Sequence, residues 1–207
     1  MPRIQAETLK LHTQRQREKI LSAAFEILEC DGYPAATMDR IATESGMARN
    51  SLYKYFSDRQ RLLFESVLRR VETLLAAAAA DICRHTAPID RILAWVDAVA
   101  AYCGGTEQRF LKLLAQIEIP QAEVRRRLRL QHLRMFDQLR ADFIEAHAGT
   151  GLDPELWAIV FDGTARVAGQ YGFEHGNLDQ ARKECRMVCR GHFLTRYTSA
   201  GAVVLHA

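Results

Sequence analysis

No stretch of this 207-residue chain approaches the ~18 consecutive apolar residues that a membrane-spanning helix needs. The least polar run, 74–80, is alanine-rich and lies inside a helical pattern. The first residues hold no apolar segment of the kind that opens a secretory signal. The five cysteines (Cys30, Cys83, Cys103, Cys185, Cys189) are odd in number and scattered, unlike a disulfide framework. Together these absences predict a reduced, cytoplasmic protein with no membrane partner. Alternating β-branched runs are missing, and proline and glycine rarely interrupt long stretches, so the chain reads as helix after helix. Enzymatic signatures are also missing. There is no Ser/His/Asp arrangement with a supporting motif, no glycine-rich phosphate loop and no His-Glu-x-x-His. The expectation is a non-enzyme without cofactor or metal. A net charge of +3 permits nucleic-acid binding without demanding it, because a local patch matters more than the total.

What is present reads as about nine helices in all, three in a small head, one bridging and five in a larger body, with boundaries at 1–57 and 58–207. Residues 1–12 show no firm pattern and read as a flexible basic arm. With Arg3, Lys10, Arg15, Arg17 and Lys19 nearby, it either reaches an adjacent groove or is simply solvated. Thr13 with Gln16 resembles a capping box, and Ile20, Ala24, Ile27 and Leu28 then repeat at helical spacing up to a stop at Gly32. Thr37 is placed as the N-cap of a short helix and Asp58 as the cap of a long one, which bridges head to body as a lever. The sequence further predicts a stop at Cys103, Gly104 and Gly105. A helix over 121–147 follows, carrying Val124, Leu128, Leu133, Phe136, Leu139 and Phe143. Asp153 with Pro154 opens the next helix, and a last one covers 178–198.

Residues 37–59 carry the most information. A short helix starts at Thr37, breaks at Gly46, and is followed by a second short helix dense in Arg, Asn, Ser, Lys and Tyr. Ala48, Leu52 and Phe56 fall at i, i+4 and i+8 and form its inward stripe. Arg49, Asn50 and Ser51 are left as base-reading candidates, since Arg suits guanine and Asn suits adenine in the major groove. Thr37, Tyr53, Lys54, Tyr55 and Arg59 are candidates for phosphate contacts that set register.

These residues resemble the TetR family of transcriptional regulators. The resemblance rests on Thr37 with Ile41 and Ala42, the Gly46 turn, the cluster Leu52, Tyr53, Tyr55, Phe56, and Asp58 and Arg59 followed by Leu62. Tyr53, Tyr55 and Arg59 are the closest matches among the candidate DNA contacts. The resemblance implies an all-α homodimer with a three-helix helix-turn-helix head that binds double-stranded DNA at a palindromic operator. It also implies a body that dimerises through its last two helices and encloses a small-molecule effector, whose binding releases a repressor. Three positions depart from the pattern. Ala48 stands where the family often has Ser, removing a capping hydroxyl. Asn50 stands where a small residue is common, adding a side chain toward the groove. Arg59 replaces a common Lys and keeps its charge.

In the body, Cys185, Cys189 and His192 lie on one helix face at i, i+4 and i+7. Packing, with Val188 and Phe193, is the better reading of them; a soft-metal site is the other. The run Arg125, Arg126, Arg127, Arg129 winds around its helix and reads as a solvated face. Trp157 and Phe161 share a face and, by the resemblance, belong to the dimer interface. The competing functional reading is a helical small-molecule sensor without operator binding.

Overall fold

The computed structural model describes residues 2–194, 196–197 and 203–204. Its elements are α1 (Pro2–Ala35), α2 (Met38–Glu44), α3 (Arg49–Tyr55), α4 (Arg59–Ile82), α5 (Pro88–Ala101), a π turn (Tyr102–Thr106), α6 (Glu107–Ala115), α7 (Gln121–Ala146), α8 (Pro154–Glu174) and α9 (Leu178–Leu194). The all-α reading holds. Counted with the kinked π turn that joins them, α5 and α6 form one segment, and the described residues then hold eight helical segments where about nine helices were expected.

Most predicted boundaries have visible physical causes. Thr37 accepts from the Arg40 N–H at 3.3 Å, Asp58 from Arg61 at 2.7 Å, and Asp153 from Glu155 at 2.9 Å, each satisfying a free donor of a first turn. α1 breaks at Gly32, whose φ is 80°. Three expectations are corrected. Residues from Pro2 onward are helical, so the arm is the first part of α1. No helix starts at Thr13, whose hydroxyl instead donates back to the Leu9 carbonyl at 2.9 Å. The last helix ends at Leu194 and not at 198; Arg196 and Tyr197 then pair antiparallel with Val204 and Val203. The side chains of Arg3, Val124, Arg125, Leu128, Arg129 and Leu133 lie outside the described residues.

The chain forms two compact units, residues 1–73 with 110–128, and residues 74–109 with 129–207. In the first, Ile20, Leu28, Ile41, Leu52, Leu62 and Val67 are wholly buried. The 110–128 segment joins this core through Phe110, whose ring lies 6.1 Å from that of Phe25. In the second, Trp95, Val96, Leu139, Phe143, Ala158, Phe161, Ala165, Cys185 and Cys189 make one core contributed by α5, α7, α8 and α9. A Cβ at Gly169 would lie 2.3 Å from the Ala100 carbonyl oxygen, so only glycine lets α8 approach α5 this closely. Arg91 of α5 donates to Asp142 (2.8 Å) and Glu145 (2.6 Å) of α7, tying those helices together at one end.

Candidate nucleic-acid interface

The turn between α2 and α3 closes as a helix-terminating motif. The Gly46 N–H reaches the Thr43 carbonyl (3.0 Å) and the Met47 N–H reaches back to Ala42 (2.8 Å), with Gly46 at φ 68°. A side chain at that φ is strained, which is why glycine stands there. The turn sets α3 so that Leu52 and Phe56 face the core while Arg49, Asn50, Tyr53 and Lys54 are exposed. Ser51 and Tyr55 are half-buried beside them. Ala48 departs from the expected inward stripe. It is exposed and serves as the N-cap of α3 with no side-chain hydrogen bond, because the cap residue stands outside the helical backbone and its methyl has no oxygen to offer. Thr37 is exposed, with its hydroxyl engaged at the start of α2.

The arginines at this face are held by the protein itself. Arg49 Nη1 meets Asp39 at 2.9 Å, and its guanidinium lies 6.0 Å from the centre of the Tyr53 ring. Tyr53 and then Asp39 raise Arg49 further above its ordinary range, so it is a permanent cation. Arg59 donates from Nε to the Ala36 carbonyl (2.8 Å) and from Nη2 to the Tyr33 carbonyl, and stacks 4.1 Å over the Tyr33 ring. It therefore braces the start of α4 against the turn before α2. Arg40 pairs with Asp31 at 2.6 Å. Arg17 lies 4.9 Å over Phe56 and within 4.0 Å of Glu65, whereas Lys10, Arg15 and Lys19 are exposed. Sequence reasoning missed Asp31, Asp39 and Tyr33 as partners, and the only signal for them was an acidic or aromatic residue close to the motif.

The second unit carries a separate surface feature. Between α8 and α9 runs a groove of about 720 Å³ lined by Ile159, Val160, Val167, Tyr171, Cys185 and Val188 among others. Val167 (69 % exposed) and Val188 (65 %) leave much apolar surface in water. Trp157 and Phe161 do not belong to this face. Phe161 is buried in its own unit, and Trp157 lies with its ring centre 3.9 Å from that of His192. Because Phe161 is buried among the core side chains of its own unit, the expectation that it lies at an interface is corrected, while Trp157 stays half-buried beside it. Cys185 and Cys189 pack inward, and His192 turns to His147, Nε2 to Nε2 at 2.9 Å. Burial, and for His192 also the neighbouring imidazole, lowers both pKa values, that of His192 to about 4. The pair is neutral near pH 7, one ring donating and the other accepting.

Comparison with known proteins agrees with the head. Residues 20–65 match the family described as bacterial regulatory proteins, tetR family. The HTH-type transcriptional regulator HbdR of Aromatoleum sp. (strain CIB) is 30% identical over 103 residues, 49% of this chain and 44% of that protein, so the match spans less than half of the relative. A solved transcriptional regulator of the TetR/AcrR family from Thermobifida fusca YX-ER1 superposes with a TM-score of 0.64 at 21% identity, covering 84% of this chain and 96% of the other. The FadR regulator of Bacillus subtilis, solved in complex with stearoyl-CoA, superposes with a TM-score of 0.56 at 18% identity, covering 83% and 96%. Residues 20–65, which hold the turn, the buried Leu52 and Phe56 and the exposed polar α3, are the part of this chain that matches the tetR family of bacterial regulatory proteins.

Proposed function

We propose that this regulator is a homodimeric repressor that binds a palindromic operator in double-stranded DNA and is released by a small-molecule effector. One observation carries the reading. α3 is anchored by Leu52 and Phe56 and turns Arg49, Asn50, Tyr53 and Lys54 outward together, which is the side-chain set that base edges and phosphates require. Thr37, Ser51, Tyr55 and Arg59 complete the proposed contact set, with Arg59 serving also as the brace of α4. The apolar strip of α8 and α9 supports a second copy as the partner, since exposed apolar patches of this kind mark association sites. The stearoyl-CoA complex of FadR supports an effector role for the body.

In functional terms residues 1–57 read DNA and 58–207 sense and dimerise, although the compact unit holding the head also takes in 58–73 and 110–128. The effector acts by binding the DNA-incompetent state more tightly, and its effect cannot exceed that difference in affinity. The protein works in the cytoplasm and catalyses no reaction.

The test is a footprint and gel shift on the DNA flanking its own gene. Two protected half-sites a whole number of helical turns apart are expected, with affinity falling steeply as salt rises. A chain that shifts no such DNA would be a helical ligand-binding protein and not an operator-binding one.

A further inference from the structure

We propose that Asp39 is a positioning residue that determines specificity, fixing the Arg49 guanidinium so that it reads one base pair; this rests on the DNA-binding reading above. Both Asp39 oxygens lie on Nη1 of Arg49, at 2.9 and 3.0 Å, and the Tyr53 ring lies 6.0 Å from the same guanidinium. The carboxylate comes from the first turn of α2 and the arginine from the first turn of α3. The long side chain is thus held from a different helix and not merely by its own. An arginine held through Nη1 still has Nε and Nη2, the edge that makes a two-point contact with guanine N7 and O6. Ordering it before DNA arrives removes part of the cost of ordering it afterwards.

The charge of Asp39 argues in the same direction. An exposed carboxylate on a face that meets phosphates weakens general attraction to every sequence. Such a residue serves discrimination at the expense of affinity. The competing account is that the pair dissolves on DNA and Asp39 only competes for Arg49. It gives the opposite sign: Asp39→Asn would bind every sequence more tightly with its preferences unchanged.

The experiment measures binding of the full-length protein to single-base variants of its footprinted site, for wild type, Asp39→Asn, Arg49→Ala and the double variant. Wild type is expected to prefer its base at one position per half-site by about ten- to hundredfold, and Arg49→Ala to lose this. Asp39→Asn should lose most of it at the same position, to about threefold, and the double variant should match Arg49→Ala. A wild-type profile for Asp39→Asn, a change at another position, or a further loss in the double variant overturns the proposal. If Arg49→Ala itself keeps the wild-type profile, the role of Arg49 in reading DNA falls as well. Both side chains are exposed, and a melting curve for each variant separates loss of fold from loss of preference.

Discussion

Removing the Arg59 guanidinium would take the side-chain donor from the Ala36 carbonyl, leave the Tyr33 carbonyl with only the Ala36 N–H, and uncover the face of the Tyr33 ring. Arg59→Ala should therefore lower stability by about 1–3 kcal/mol, read as a lower urea midpoint, and weaken binding to all DNA sequences alike. Arg59→Lys should recover little, because a single ammonium cannot serve two carbonyls and a ring as a planar fork does. An unchanged midpoint in Arg59→Ala would remove the brace from the account. At this scale the sequence was legible where partners are local. Thr37, Asp58 and Asp153 cap helices within three residues of themselves, and the missing hydroxyl at Ala48 could be read directly. Arg49 and Arg59 were legible as charges but not as to what holds them. Their partners lie 10, 23 and 26 residues away, separations that follow no helical period.

Helices were legible as far as one face of each could be recognised. Gly104 and Gly105 read as a stop, and there the backbone leaves the helical region, with Gly105 at φ 124°, in the turn that separates α5 from α6. Cβ atoms there would lie 2.5 Å from the Leu178 side chain and 2.9 Å from the Phe173 ring, so these glycines make room for neighbouring side chains as much as they bend the chain. The start of α1 was illegible because it lacks an apolar stripe; its Gln, Glu, Lys and Arg residues extend a helix already anchored by the buried Ile20. Between α7 and α9, His147 and His192 are neutral when folded, with both pKa values below the ordinary 6.5 and that of His192 at about 4. The unfolded chain binds protons more readily in that window. The stability they confer is present above pH 6.5 and is lost as pH falls toward 4. Thermal midpoints measured from pH 7 to 4 should drop, and less steeply in His192→Phe; equal slopes would remove the pair as the cause.

For the whole molecule, association is expected to run through the uncovered strip of α8 and α9. Val167→Glu would place a carboxylate in that strip, where burying an unpaired charge is costly. Sedimentation should find the wild type as a dimer and the variant as a monomer, with operator affinity at least about tenfold lower because one copy grips only half a site. A variant that still sediments as a dimer and binds as before would move the interface elsewhere. The head motif was legible because it lies in contiguous residues. The membership of 110–128 was not, because Phe110 meets Phe25 across a long loop of chain and no local pattern records such a meeting.

That discontinuity also governs how the protein can be rebuilt. The unit that holds α2 and α3 is woven from two separated stretches, and the chain changes unit within α4, within α6 and within α7. A chimera spliced after residue 57, or even after 73, would carry off Phe25 and abandon Phe110, exposing to water an aromatic contact that is buried in the intact chain. If the proposed reading by α3 holds, changing the DNA sequence it recognises is a matter of repainting the outward side chains of α3 on an intact scaffold, and not of cutting and joining.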